Sequence, residues 1–351
     1  MSIPPASTVL GQPARSRSWG QLGFYLLWAA ATAVLGWLLI QGRREFDLTL
    51  LLWAGPPMLA LTVGLLWRLR RPEPSLAVES ASGRPGNLGA RVLIAVLLLM
   101  PLRALVGRSL LWAVPVAAVA VLVWLRPRFT LREWLYSIAL ALVSGIAGLG
   151  AGWITYMPLP AWAALQVALV LPGLLAGWAI LRRTGLWAAG VGGSLFLTGG
   201  VSPALRGFVQ GMILGLPWVL FGILLGGSNA DAWVKVWWQP LAAIQPGIAE
   251  EAWGRVLLVP LLFLAFRPAG GERQALHAAV IVMAYWFAQL HTAGDVGSLF
   301  STVLIGTLYS LPVSYLWLYR GLETAIGFHF MLDLIRFSAA YFMNRGLWFG
   351  A

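Results

Sequence analysis

The sequence predicts an all-α fold: a polytopic integral membrane bundle of about ten to twelve transmembrane helices. Three observations predict it. Hydrophobic residues make up 60% of the 351 positions and charged residues only 10%, far from the balance of a soluble domain. The apolar residues fall in blocks of about twenty, the length a helix needs to cross the hydrocarbon core. They run continuously rather than alternating with polar residues, which excludes a transmembrane β-barrel.

Taken in order, a polar N-terminus (residues 1–18) leads into apolar blocks at Leu22–Ile40 and Leu48–Trp67. The first is as long as a full span and reads as a retained helix rather than a cleaved signal. Residues 72–89, rich in Pro, Gly and Ser, read as a linker. Val92–Leu105 and Leu110–Leu125 are short for spans and are expected to form a re-entrant hairpin. Further spans are expected at Trp134–Tyr156, Trp162–Leu181, Leu186–Gly199 and Phe208–Gly226. Residues 228–240, with Lys235, Trp233, Trp237 and Trp238, read as a helix lying at headgroup level. Spans resume at Leu241–Phe266, Leu276–His291, Leu299–Trp317 and Leu322–Met343, with Pro246-Gly247 marking a kink or break. Residues 1–230 therefore form an N-terminal membrane region of unassigned role, and residues 231–345 a second unit in which polar groups concentrate.

The net charge of +12 is almost all arginine, with Lys235 the single lysine. The arginines flank apolar blocks, as at Arg43-Arg44, Arg126-Pro127-Arg128 and Arg182-Arg183, so they read as topology signals rather than a nucleic-acid surface. Their distribution favours an N-terminus inside. The absence of cysteine excludes disulfides, thiol catalysis and thiolate metal sites. Arginine bias, short loops and no cysteine point to a prokaryotic inner membrane.

Charge inside a span costs roughly 2.5–3.5 kcal/mol per residue on translocon scales, so each such group needs a reason. Three acidic residues, Glu250, Glu251 and Asp333, lie within apolar blocks, as does His329, while His291 closes one. Helical spacing sorts them. Glu251 and Arg255 are four apart in the favourable order for an ion pair, and Glu250 is turned about 100° away. Phe287 and His291 are four apart, as are His329 and Asp333, close enough for the carboxylate to fix the imidazole tautomer. His277, at the start of a span, reads as an interfacial anchor. Interhelical packing alone can account for one such pair, and accounts poorly for three in successive spans.

The residues leave several chemistries open. Two histidines and a glutamate from separate spans are the donor set of a zinc-dependent membrane peptidase, although no HExxH stands in the sequence. Gly- and Pro-interrupted spans with intramembrane carboxylates suit a proton-coupled transporter, although no internal repeat is visible. A non-catalytic immunity or scaffold protein would carry the same groups for packing.

The three motifs, Glu250-Glu251-Ala252-Trp253-Gly254-Arg255, Phe287-Ala288-Gln289-Leu290-His291 and His329-Phe330-Met331-Leu332-Asp333, resemble the EExxxR, FxxxH and HxxxN or HxxxD signature of the CAAX prenyl endopeptidase and bacteriocin-processing (CPBP) intramembrane proteases. The resemblance covers residues 233–340. It implies a glutamate-type peptidase without a metal or other cofactor. Glu250 would be the general base, His291 would hold the water, and His329 with Asp333 would face the substrate carbonyl oxygen. Glu251, Arg255 and Phe287 would support them. The substrate implied is a peptide precursor or membrane protein, lipidated in the CAAX case, met within the bilayer. Where prenyl endopeptidases carry an asparagine, this sequence has Asp333, whose carboxyl group either is protonated and donates to the oxyanion, or is ionised and orients His329 as the donor.

Overall fold

A computed structural model describes residues 19–40, 48–69, 87–89, 91–92, 95, 110–152, 154, 156–226, 231–292 and 296–345. Every regular element among them is helical. Three helices are long and apolar enough to cross a membrane, Leu159–Arg183, Val201–Leu224 and Leu299–Arg320, with shorter apolar helices at Gly23–Leu39 and Trp112–Leu125. The chain is an all-α integral membrane protein. The linker at 72–89 and the block Val92–Leu105 fall almost wholly outside the described residues.

Helices α1 (Trp19–Ile40) and α2 (Leu48–Leu69) pair with each other, and α1 also packs on the long helix that begins at Val201. Helix α3 (Leu110–Leu125) lies on α5 (Leu159–Arg183), which also receives α4 (Leu131–Gly148). The start of α4 is fixed by a capping box: Glu133 N–H donates to Thr130 Oγ1 while Thr130 N–H donates to Glu133 Oε2. Arg182, in the last turn of α5, pairs with the same Glu133 and so joins the two helices at one end.

Two expected elements differ. The run Leu186–Gly199 does not span. Gly185, Gly190 and Gly192 all have positive φ, so the chain turns repeatedly and leaves only the five-residue helix α6 (Leu195–Gly199). At Gly192 a Cβ would lie 2.3 Å from the ring of Trp317, so both the conformation and the contact require glycine. The expected interfacial helix is also absent from residues 231–238, which form turns before a short 3₁₀ segment, Gln239–Ala243. The Gln239 side-chain oxygen accepts from the N–H groups of Lys235 and Val236, and Pro240 has no N–H to donate. Trp237 is nonetheless 73% exposed, as an interfacial residue would be.

Helix α7 (Val201–Gly226) is longer than expected and runs along α13 (Leu322–Asn344), the most extensive helix pairing in the fold. Helix α8 (Ile244–Glu250) continues into a widened π segment (Glu251–Leu258) and then α9 (Val259–Phe266). Pro246-Gly247 does not break this rod. Pro246 lies in the first turn, where its missing N–H has no intrahelical partner to lose. Gly247 lets α8 approach the backbone of Phe330, 3.3 Å from where a Cβ would stand. Helix α10 (Glu272–Leu290) packs on α9. Helix α11 (Val296–Ile305) then passes through a second π segment (Gly306–Ser310) into α12 (Leu311–Arg320).

Both π segments end two residues before a proline, at Pro260 and Pro312. Proline cannot donate to the carbonyl four residues back, and its ring crowds that carbonyl. The turn preceding it relaxes by widening. Such widened turns gather at functional sites, and here the two face each other through Arg255.

Candidate active site

The sequence sets five polar side chains on three rods, and the fold turns them toward one another. Glu250 ends α8 and Glu251 begins the π segment, so the two adjacent acids point in different directions. His291 caps the C-terminus of α10, and His329 and Asp333 lie one turn apart on α13.

An inner layer is closed to solvent. The side chains of Glu251 and Arg255 are both 0% exposed and form an ion pair, Oε1 to Nη1, at 3.2 Å. Arg255 Nη2 also donates to Ser310 Oγ at 2.9 Å and Nε to Ser314 Oγ at 3.3 Å. Ser314 in turn donates its hydroxyl to the carbonyl of Ser310, which leaves its lone pairs free for the arginine. The guanidinium carbon stands 4.2 Å from the centroid of Phe287, a cation–π contact strengthened by the lack of water. Removing either partner of such a buried pair typically costs about 3–5 kcal/mol.

Phe287 meets both histidines as well as Arg255. Its ring lies 4.4 Å from that of His291, 5.9 Å edge-on from that of His329, and 6.4 Å from Trp253. It thereby fixes the distance between the two imidazoles while carrying no reactive atom.

The outer layer holds the groups that can meet a substrate. The side chain of Glu250 is 20% exposed, that of Asp333 15%, and that of His291 43%. His291 Nδ1 donates to the backbone carbonyl of Phe287 at 2.8 Å. A carbonyl can only accept, so the neutral ring keeps its lone pair on Nε2, and that atom lies 3.8 Å from Glu250 Oε2. His329 Nδ1 donates to Glu251 Oε1 at 2.8 Å, which turns Nε2 toward Glu250 Oε2 and Asp333 Oδ2, each at 3.5 Å. Glu250 Oε2 is shielded from solvent and forms no hydrogen bond. It therefore stands without a hydrogen-bond partner of its own, 3.5 Å from Nε2 of His329 and 3.8 Å from Nε2 of His291.

One expectation is changed by this geometry. The carboxylate that fixes the His329 tautomer is that of Glu251, from 78 positions away, and Asp333 addresses the opposite nitrogen. All seven residues singled out from the sequence lie in this one cluster. His277 does not join it and bonds to the Tyr315 hydroxyl at 3.0 Å. Among the described residues no group of three or more His, Asp or Glu side chains is arranged as a metal site.

Sequence reasoning missed several polar residues. Ser310 and Ser314 complete the shell of Arg255. Arg336, one turn beyond Asp333, reaches to 3.9 Å from its Oδ1 and forms a bidentate pair with Asp231. Glu323 is 5% exposed and accepts hydrogen bonds from Tyr136 Oη, Ser194 Oγ and the N–H groups of Leu195 and Phe196. It caps α6 and ties α4 to α13, in the first turn of the helix that also carries His329. A serine pair four apart in an apolar span was the available signal for the first, and acids and arginines near span ends for the others.

No curated protein and no solved structure matches the chain. Residues 232–335, which contain every motif of the cluster, match the family of Rce1-like type II CAAX prenyl endopeptidases, so the similarity of this part of the chain is to a membrane endopeptidase.

Proposed function

We infer that the chain is an intramembrane endopeptidase that hydrolyses peptide bonds with a water activated by Glu250. The observation that carries this reading is the position of Glu250 Oε2, unbonded and shielded, 3.5 Å and 3.8 Å from the Nε2 atoms of His329 and His291. Peptide hydrolysis needs a base, an oriented water and stabilisation of the charge that develops on the carbonyl oxygen. The cluster offers a group for each need.

In this scheme a water donates one hydrogen to Glu250 and its other to His291 Nε2, the ring's free lone pair. Glu250 takes the first proton as the water oxygen attacks the carbonyl carbon. The carbonyl π electrons move to oxygen, which takes a hydrogen bond from Nε2–H of a doubly protonated His329, a ring flanked by carboxylates on both nitrogens. Collapse of the tetrahedral intermediate breaks the C–N bond, and the proton held by Glu250 passes to the leaving amine. Glu251 holds the His329 ring through Nδ1–H, Arg255 keeps Glu251, and Phe287 keeps both rings apart. No metal or other cofactor takes part in this sequence.

The family similarity supports a peptide substrate met within the membrane. Within that class the proposed substrates are a peptide precursor or a membrane protein, lipidated or not, and the proposed setting is the inner membrane of a prokaryotic cell. The testing experiment is cleavage by the purified protein, in detergent, of quenched-fluorescent peptides with and without a lipidated cysteine. Cleavage by wild type that is lost in Glu250→Gln supports the reading. Cleavage that persists in Glu250→Gln overturns it.

A further inference from the structure

A carboxylate beside an oxygen that gains negative charge opposes the reaction, and Asp333 stands at that position with its Oδ2 3.5 Å from His329 Nε2. Its other oxygen, Oδ1, faces Arg336 Nη1 at 3.9 Å, one turn along α13. Arg336 is not free to wander. Its Nε and Nη2 donate to Asp231 Oδ2 and Oδ1 at 2.7 Å and 2.8 Å, the parallel fork that fixes a guanidinium in plane and direction. The fork uses two of the three nitrogens and leaves Nη1, the one turned to Asp333. The side chain of Asp231 is 6% exposed and that of Arg336 48%, so the acid is the buried anchor and the arginine the arm reaching from it to the rim of the site.

We propose that Arg336, steered by Asp231, is a positioning residue for the hydrolytic centre: it holds Asp333 and offsets its charge, which lets an aspartate work at a position facing the carbonyl oxygen. The inference rests on the peptidase reading given above. It assigns two residues from outside the three motifs to the reaction and explains how this chain carries an acid at Asp333. The attraction is screened on the side open to solvent, so the effect is moderate rather than absolute.

A purely structural tie is the competing account. Residues 231–234 are also stitched to α13 by Asn344, whose side-chain amide donates to the carbonyls of Asp231 and Val234, and by Trp233 edge-on to Phe337 at 5.0 Å. A tie of this kind does not depend on the charge at position 333. That difference is measurable.

The experiment is a double-mutant cycle on the full chain in detergent: wild type, Arg336→Gln, Asp333→Asn and the pair. The readouts are kcat on a quenched-fluorescent lipidated peptide and the thermal unfolding midpoint. Arg336→Gln is expected to lower kcat roughly tenfold with Asp333 in place and less than about threefold in the Asp333→Asn background, within the coupling range of neighbouring charges. Its loss of Tm is expected to be larger with Asp333 in place as well. Equal losses in both backgrounds overturn the proposal and leave Arg336 a tie. Should Arg336→Gln not fold, Arg336→Met, which also removes the charge while keeping much of the side-chain length, is run through the same cycle with the same criterion. If neither wild type nor Asp333→Asn cleaves any peptide, the peptidase reading fails by itself, and the Tm cycle still decides whether Arg336 offsets Asp333.

Discussion

His329 Nδ1 lies 2.8 Å from Glu251 Oε1. A carboxylate accepts and does not donate, so the imidazole carries a hydrogen on Nδ1 and turns Nε2 toward Glu250 and Asp333. The same Glu251 oxygen is 3.2 Å from Arg255 Nη1. One atom therefore links the buried arginine to the orientation of a ring in the candidate site.

Glu251→Gln is accordingly expected to be more damaging than its distance from a substrate implies. Arg255 would remain buried without its counter-charge, at a cost of about 3–5 kcal/mol, and the His329 ring would lose its charged acceptor. Asp333→Asn, which leaves both contacts intact, is expected to cost much less in stability. Thermal unfolding of the two variants in detergent compares them directly. Equal midpoints would show that the contact at Glu251 carries little.

Glu250→Gln should behave in the opposite way. Glu250 Oε2 has no hydrogen bond to lose, so the fold should be preserved and only the base removed. Cleavage is expected to fall by roughly 10²–10⁴-fold, the usual contribution of a positioned base, with Tm nearly unchanged. A Tm drop as large as that of Glu251→Gln would mean that Glu250 is a structural residue instead.

Arg255 gives a graded series. Arg255→Ala is expected to express poorly, because Glu251 becomes an unpaired buried charge. Ser310→Ala and Ser314→Ala each remove one acceptor from the guanidinium and are expected to cost about 1–3 kcal/mol. Measured Tm values in the order wild type, serine variants, Arg255→Ala would bear this out. Serine variants indistinguishable from wild type would show that the ion pair and Phe287 suffice.

Metal dependence separates two mechanisms that share the same side chains. With water activated by Glu250 and His291, cleavage should survive exhaustive chelation. If cleavage vanishes on chelation and returns with zinc, Glu250, His291 and His329 act as ligands and the base mechanism is wrong.

The cluster was legible in the sequence because charge is rare in apolar helices, so Glu250, Glu251, Arg255, His291, His329 and Asp333 stand out against their neighbours. Helical spacing then paired Glu251 with Arg255 correctly, although the turn between them is widened rather than regular. It paired His329 with Asp333 as well, but it could not reveal that Glu251, on another rod, is nearer. Contacts between rods have no periodicity to read. Arg336 and Asp231 escaped because arginines and acids near span ends are ordinary interfacial residues, and Ser310 and Ser314 because serine in an apolar helix passes as a small packing residue. The expected span at Leu186–Gly199 failed for a different reason. Its hydropathy was sufficient, and its left-handed glycines overrode it.

The pairing of α7 with α13 depends on atoms that are not there. A Cβ at Gly327 would lie 2.0 Å from the carbonyl oxygen of Phe208, and one at Gly211 would lie 2.1 Å from that of Thr324. A single methyl group at either position must drive the two backbones apart by more than an ångström, since ordinary carbon–oxygen contacts begin well beyond these distances. His329 sits two residues after Gly327 on the same helix, and its hold on Glu251 has little slack at 2.8 Å. The alignment of the candidate catalytic groups is thus set partly by backbone touching backbone on the side of α13 that faces α7. Damage there would silence the centre while leaving every one of its side chains in the sequence.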